Sequence, residues 1–386
     1  MVEKMNQPLR LLYIVSHPIQ YQAPLLRHIA SEPSIKLTVL FESMVTTGKY
    51  TDPGFGCHVN WDVPLTEGYT YHHVSSNSEA CAFLRETDVL WVHGWNSRLK
   101  RSVISSAKSC GVPVLIRGEN TANAMPDEYG LRGLVKRWYL SRIFAKSAGF
   151  LCIGSKNRQY YKERGISEDR LFYMPYAVDN DFFSERAKEA ALRRDDFRKE
   201  LCITSGRAVV LFAGKLQQRK HPRTLFEAWR ALAGHRRPYL LYVGDGEERE
   251  TLMSLSKDEP LVRVLGFRNQ TELPAFYDLA DIFVLAGERE AWGLAINEAM
   301  VSGTAIIASD QCGAAADLID DATGALVPPG DASILTETLW QLLEDRQALS
   351  TMKTAATKKI AAWNFNEDLK GLKAALKWVC PTPPPA

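Results

Sequence analysis

The chain has 386 residues, 46% hydrophobic and 24% charged, with a formal net charge of +2. That length exceeds one ordinary core and suits two domains, and the composition is that of a globular protein. The near-neutral charge and the lack of any recognisable nucleic-acid motif give no reason to expect a nucleic-acid partner.

In chain order, the opening "MVEKMNQPLRLLYIV" is too polar, and its apolar run too short, for a signal peptide. No apolar run approaches the roughly 18 residues of a membrane span, so a cytoplasmic location is expected. Apolar, β-branched runs then alternate with helix-like segments. The first series is Arg10–Ser16, Ile35–Phe41, Asp88–Gly94, Val112–Gly118 and Gly149–Ser155. Pro175 ends that pattern, and a charged helix over Ser184–Glu200 opens the next. The second series is Ala208–Gly214, Tyr239–Asp245, Val262–Phe267, Asp281–Gly287 and Thr304–Asp310. Continuous apolar strands interleaved with helices predict parallel sheets covered on both faces, and two series predict two doubly wound α/β domains. The expected division is 1–177, 178–362, an amphipathic helix within 363–380 and a proline-rich tail over 381–386 that cannot pack. Cysteines 57, 81, 110, 152, 202, 312 and 380 stand far apart, with no Cys-x-x-Cys pair. Reduced, mostly buried thiols are expected, with no disulfide and no zinc site.

Ligands of open α/β sheets bind beyond the carboxyl ends of the strands, so the residues just after each strand are the candidates. After Gly214 come Lys215, Arg219 and Lys220, three cations in one loop that suit a diphosphate. In "EREAWGLAINEAM" Glu290 and Glu298 flank Trp292, Gly293 and Leu294, where a helix start would present its N–H groups to an anion. An ionised carboxylate has acceptors enough for both hydroxyls of a diol. Cations for phosphates and carboxylates for hydroxyls describe a nucleotide-sugar site. The alternative is solvated capping and a solvated basic loop.

These motifs, in this order and at these intervals, resemble the retaining GT-B glycosyltransferases, in particular glycosyltransferase family 4, most strongly over Val209–Asp331. The paired glutamates with Gly293, the Gly214–Lys220 loop (Lys215 standing where the family has Arg), "YVGDGEER" and "VLGFRNQTELPAFYDLADIFVL" carry the resemblance. It implies two Rossmann-like domains facing a central cleft, the first binding acceptor and the second donor. By the same resemblance Glu298 binds ribose and Glu290 the transferred sugar. Lys215 and Lys220 hold the diphosphate with Arg219 as helper. Backbone around Trp292–Leu294 meets the phosphates or sugar, and Phe267–Arg268 flanks the base. His93, at a strand end, matches a histidine that faces the transferred sugar. No metal or cofactor is implied; the donor is a nucleoside diphosphate sugar, UDP favoured over GDP, and the acceptor a glycan or lipid-linked glycan of surface polysaccharide or glycoconjugate synthesis. A nucleotide-sugar epimerase and a catalytically silent binding subunit stay open as alternatives.

Elsewhere the pattern departs from the family. The loop after the first strand, "SHPIQYQAPLLRHI", has no glycine, which leaves a phosphate contact from this side open. His17, Arg117 and Glu119 are acceptor-side candidates, with structural turn and salt-bridge roles as their rivals. Asp179–Asp181 reads as an Asx turn rather than a metal ligand, and "GDGEER" lacks the third glycine of a dinucleotide fingerprint. From Leu131 to Lys162 there are eight Lys or Arg and no acid. The stretch Leu131–Lys146 mixes these with aromatics, so it either packs on the first sheet or lies on the inner face of an anionic membrane.

Overall fold

The computed structural model describes residues 7–125, 130–204 and 206–381. The first six residues and 382–386 of the proline-rich tail lie outside these. The strands are β1 (Leu9–Val15), β2 (Ile35–Phe41), β3 (Tyr50–Asp52), β4 (Cys57–Val59), β5 (Thr70–His73), β6 (Val89–His93), β7 (Val114–Arg117), β8 (Gly149–Cys152) and β9 (Leu171–Tyr173). There follow β10 (Val209–Ala213), β11 (Tyr239–Val243), β12 (Val262–Val264), β13 (Ile282–Leu285), β14 (Ala305–Ser309) and β15 (Gly324–Val327).

Two compact units form. The first comprises the described residues of 1–48, 64–176 and 365–386; the second comprises those of 49–63 and 177–364. An undivided first domain over 1–177 is thus corrected. The antiparallel β3–β4 hairpin leaves it because its partners, Lys215, Phe267, Asn269 and Thr271, are residues of the second unit.

Among the described residues the first unit holds a parallel sheet of order β5-β2-β1-β6-β7-β8-β9. Side chains alternate along β1: Leu12 and Ile14 enter one core, Leu11, Tyr13 and Val15 the other. Such two-sided burial explains why the strand reads as a continuous apolar run. The helix Phe365–Val379 packs Leu372, Ala375 and Leu376 on the second of these faces. A Cβ at Gly371 would stand 1.8 Å from the Tyr173 carbonyl oxygen, so glycine sets that approach.

The second unit's sheet, among the described residues, runs β12-β11-β10-β13-β14-β15, again parallel. In each sheet the order reverses beside the first strand, between β1 and β6 and between β10 and β13. Those switch points are where ligands of such sheets bind.

Other expectations change in detail. The charged helix is two helices, Asn180–Ala191 and Arg194–Glu200. Asp179 caps the first by accepting from Phe182 N at 3.0 Å. Only Cys152 and Cys312 are buried; Cys110 and Cys202 are exposed because they sit at helix ends rather than in strands or a core. The helix Gly130–Phe144 buries Leu140, Ile143 and Phe144 but leaves Leu131, Leu134, Val135 and Trp138 exposed. No helix among the described residues is long and apolar enough to cross a membrane.

Candidate active site

In the second unit, β10 delivers Gly214 and Lys215 to its carboxyl edge, and a short 3-10 turn, Gln218–Lys220, carries the other two cations. β13 delivers the Ala286–Gly293 loop to the same edge. Arg219 O accepts from Glu288 N at 2.8 Å, and a Cβ at Gly287 would stand 2.9 Å from Lys220 Cα. This contact brings Glu290 to the cations: its Oε2 lies 3.2 Å from Lys220 Nζ and 3.5 Å from Arg219 Nη1. That oxygen is buried and makes no hydrogen bond among the described residues, an unused acceptor between two positive groups. Lys220 Nζ also comes within 3.6 Å of where a Gly214 side chain would begin.

Gly293 starts the helix Leu294–Val301 at φ +98, a left-handed conformation that favours glycine. With no side chain it makes no side-chain capping bond; its carbonyl accepts from Ile296 N at 2.9 Å, and the N–H groups of Leu294 and Ala295 are those that an external acceptor would meet. The Trp292 indole, in contrast, is buried, donates to Asn297 Oδ1 at 2.9 Å and stacks 5.8 Å from Trp363. Any ligand role for Trp292 falls to its backbone.

Glu298, one turn further along, is buried and pairs with no lysine among the described residues. Its Oε2 accepts from the Tyr277 hydroxyl at 2.7 Å, and Gln270 bonds it too. Burial pushes its pKa up to about 7, against the opposing pull of Tyr277, Gln270 and Lys220. Sequence reasoning missed Tyr277 and Gln270, although both fall within the stretch "NQTELPAFYDL" that follows β12. Phe267 and Arg268 occupy the turn after β12; Arg268 Nη1 is 3.4 Å from Glu272. Lys215 is paired instead with Asp52 of the hairpin, Nζ to Oδ1 at 2.8 Å.

In the first unit, β6 ends at His93 and β7 leads to Glu119. Glu119 Oε1 accepts from the hydroxyls of Tyr21, at 2.9 Å, and Tyr176, and lies 3.6 Å from His93 Nε2. Burial works to raise the Glu119 pKa, but His93 and the two tyrosines outweigh it and hold it at about 2. Burial depresses the His93 pKa against the opposing pull of Glu119. Gln22 reaches His93 at 3.3 Å. His17 Nδ1 lies 2.9 Å from Ser16 Oγ, a local turn contact. Arg117 is corrected as an acceptor-side candidate. It is 1% exposed, pairs with Asp368 of the C-terminal helix at 2.7 Å and donates to the carbonyls of Met174 and Pro175. Its guanidinium fastens that helix to the sheet.

Residues 193–359 match the family described as "Glycosyl transferases group 1". A GDP-mannose-dependent alpha-mannosyltransferase of Mycobacterium tuberculosis is 32% identical over 250 residues, covering 63% of this chain and 61% of that protein. A D-inositol 3-phosphate glycosyltransferase of Xylanimonas cellulosilytica is 28% identical over 207 residues, 50% of this chain and 49% of that one. The chain spans about half the length of the curated relatives it matches first. Among solved structures, a glycosyltransferase of Rickettsia africae superposes with a TM-score of 0.74 at 16% identity, covering 96% and 98% of the two chains. Anabaena HepE in complex with UDP and glucose gives 0.70 at 14% identity, covering 95% and 98%. The fold is therefore GT-B, with two Rossmann-like domains, and the chain carries a glycosyl transferases group 1 domain.

Proposed function

We propose that the protein is a retaining, metal-independent glycosyltransferase. It moves a sugar from a nucleoside diphosphate sugar to a hydroxyl of a glycan or lipid-linked glycan, in surface polysaccharide or glycoconjugate synthesis. The observation that carries this reading is the cluster of Lys220, Arg219 and Glu290 at the β10/β13 switch point, with the buried Glu298 on the following helix. In this reading Glu298 and Tyr277 hold the ribose, and Glu290 the transferred sugar. Lys215, Lys220 and Arg219, with the N–H groups at Leu294, hold the diphosphate. Breaking the sugar–phosphate bond leaves its electron pair on the departing phosphate oxygen, and preorganised cations stabilise that charge. The same oxygen takes the proton of the incoming hydroxyl on the same face, which gives retention. His93 contacts the sugar, and Glu119 and His17 face the acceptor.

UDP-sugar is the favoured donor, supported by the UDP complexes of HepE. GDP-mannose is the rival, supported by the mannosyltransferase relative. The exposed Leu131, Leu134, Val135 and Trp138, set among Arg132, Lys136 and Arg137, support contact with an anionic membrane and hence a lipid-linked acceptor at its inner face.

The test is to follow each candidate donor with and without acceptor. A transferase transfers the sugar only when acceptor is present, and chelation of metals leaves its rate unchanged. An epimerase converts donor without acceptor, and a silent subunit binds donor without consuming it. The anomeric configuration of the product decides retention.

A further inference from the structure

Residues 49–63 belong in sequence to the first unit and in space to the second. Their turn surrounds one side chain. Asp52 Oδ1 accepts from Gly54 N at 2.8 Å and Phe55 N at 3.0 Å, closing a tight Asx turn, and accepts again from Lys215 Nζ at 2.8 Å. The Phe55 ring centroid stands 5.0 Å from the same ammonium. A Cβ at Gly54 would meet the Lys215 Cδ, Nζ and Cε at 2.6 to 3.0 Å, so the lysine stem lies directly against the Gly54 backbone. The hairpin is fixed independently at its far end. Asn269 Nδ2 donates to Asn60 O at 2.6 Å, Thr271 Oγ1 donates to Asp62, and the Trp61 ring centroid lies 6.0 Å from that of Phe267, which Phe55 approaches from the turn at 5.0 Å.

We infer that this hairpin is a positioning element for the donor's diphosphate: Asp52 and Gly54 hold the Lys215 ammonium in one place, while Phe55 and Trp61 brace the Phe267 turn. The inference rests on the reading of Lys215 as a diphosphate ligand. A lysine stem has four rotatable carbons and loses side-chain entropy when fixed, so a partner that fixes it beforehand removes that loss from the reaction. An ammonium has three donors; one goes to Asp52, which leaves two for phosphate oxygens. Asp52 also carries a negative charge beside the anion site, and it therefore weakens ground-state binding of a diphosphate while improving the placement of Lys215.

The opposed effects make the test specific. In Asp52→Asn, kcat falls by about tenfold or more while the affinity for the nucleoside diphosphate is unchanged or tighter. Asp52→Glu recovers part of the rate, and Gly54→Ala, which displaces the lysine stem, repeats the loss in kcat. In a Lys215→Ala background Asp52→Asn has no further effect on kcat. Reductive methylation of the Lys215 amine, read by mass spectrometry, is faster in Asp52→Asn than in the wild type. Unchanged labelling, or the same kcat loss in both backgrounds, overturns the inference. Faster labelling in a protein that binds no nucleoside diphosphate leaves the pairing intact and rejects the donor-site reading instead.

Discussion

Glu298 is the residue whose surroundings constrain its chemistry most. A carboxyl in so dry a site favours its neutral form, and its contribution to the stability of the unliganded protein is full below its ordinary value of 4.5 and fades as pH rises through about 7. Ribose hydroxyls donating to it favour the charged form. Donor binding should therefore release a proton at about pH 6 to 7 and none above about pH 8, and affinity should rise with pH to about 7 and then level off. Calorimetry in buffers of different ionisation enthalpy measures this; Glu298→Gln should abolish the proton release, and its persistence there would assign the proton to another group. At Glu290 and Lys220 the expectation is simpler. Alanine at either lowers kcat/KM by about 10² to 10³-fold with the thermal transition little changed, and near-normal rates in both variants would remove their role.

At the scale of elements, the buried Arg117–Asp368 pair predicts that the C-terminal helix is part of the first unit's stability. Asp368→Ala strands a buried guanidinium and should cost about 3 to 5 kcal/mol, read as an earlier urea transition, while an exposed control such as Lys370→Ala changes little. The sequence made ten apolar strands legible because most are buried on both faces, as β1, β6, β10 and β11 are; it made β12, with only Val262 buried, legible as part of the apolar run Val262–Phe267. It did not make legible the exposed "TYHH" of β5, nor the three-residue β3, β4 and β9, whose side chains are too few or too polar to form an apolar run. The site divides in the same way. Glu290, Glu298 and the three cations were legible because each loop is local. Arg117 was misread because its partner lies 251 residues away, and Asp52 was missed because Lys215 lies 163 residues from it. Pairings at that separation leave no mark in either local stretch.

For the molecule as a whole, the claim on which the account depends is that the carboxyl edge of β10 and β13 binds a nucleoside diphosphate sugar. A ligand that binds only the native state raises its apparent stability by about 2.7 kcal/mol at a hundredfold excess over Kd. Thermal shifts of the full chain against UDP-, GDP- and ADP-sugars measure that most directly. One nucleotide class should raise Tm with increasing concentration, a UDP-sugar first, and the shift should be lost in Glu298→Ala and reduced in Lys220→Ala. No shift from any donor, or the same shift in all three proteins, would contradict the claim.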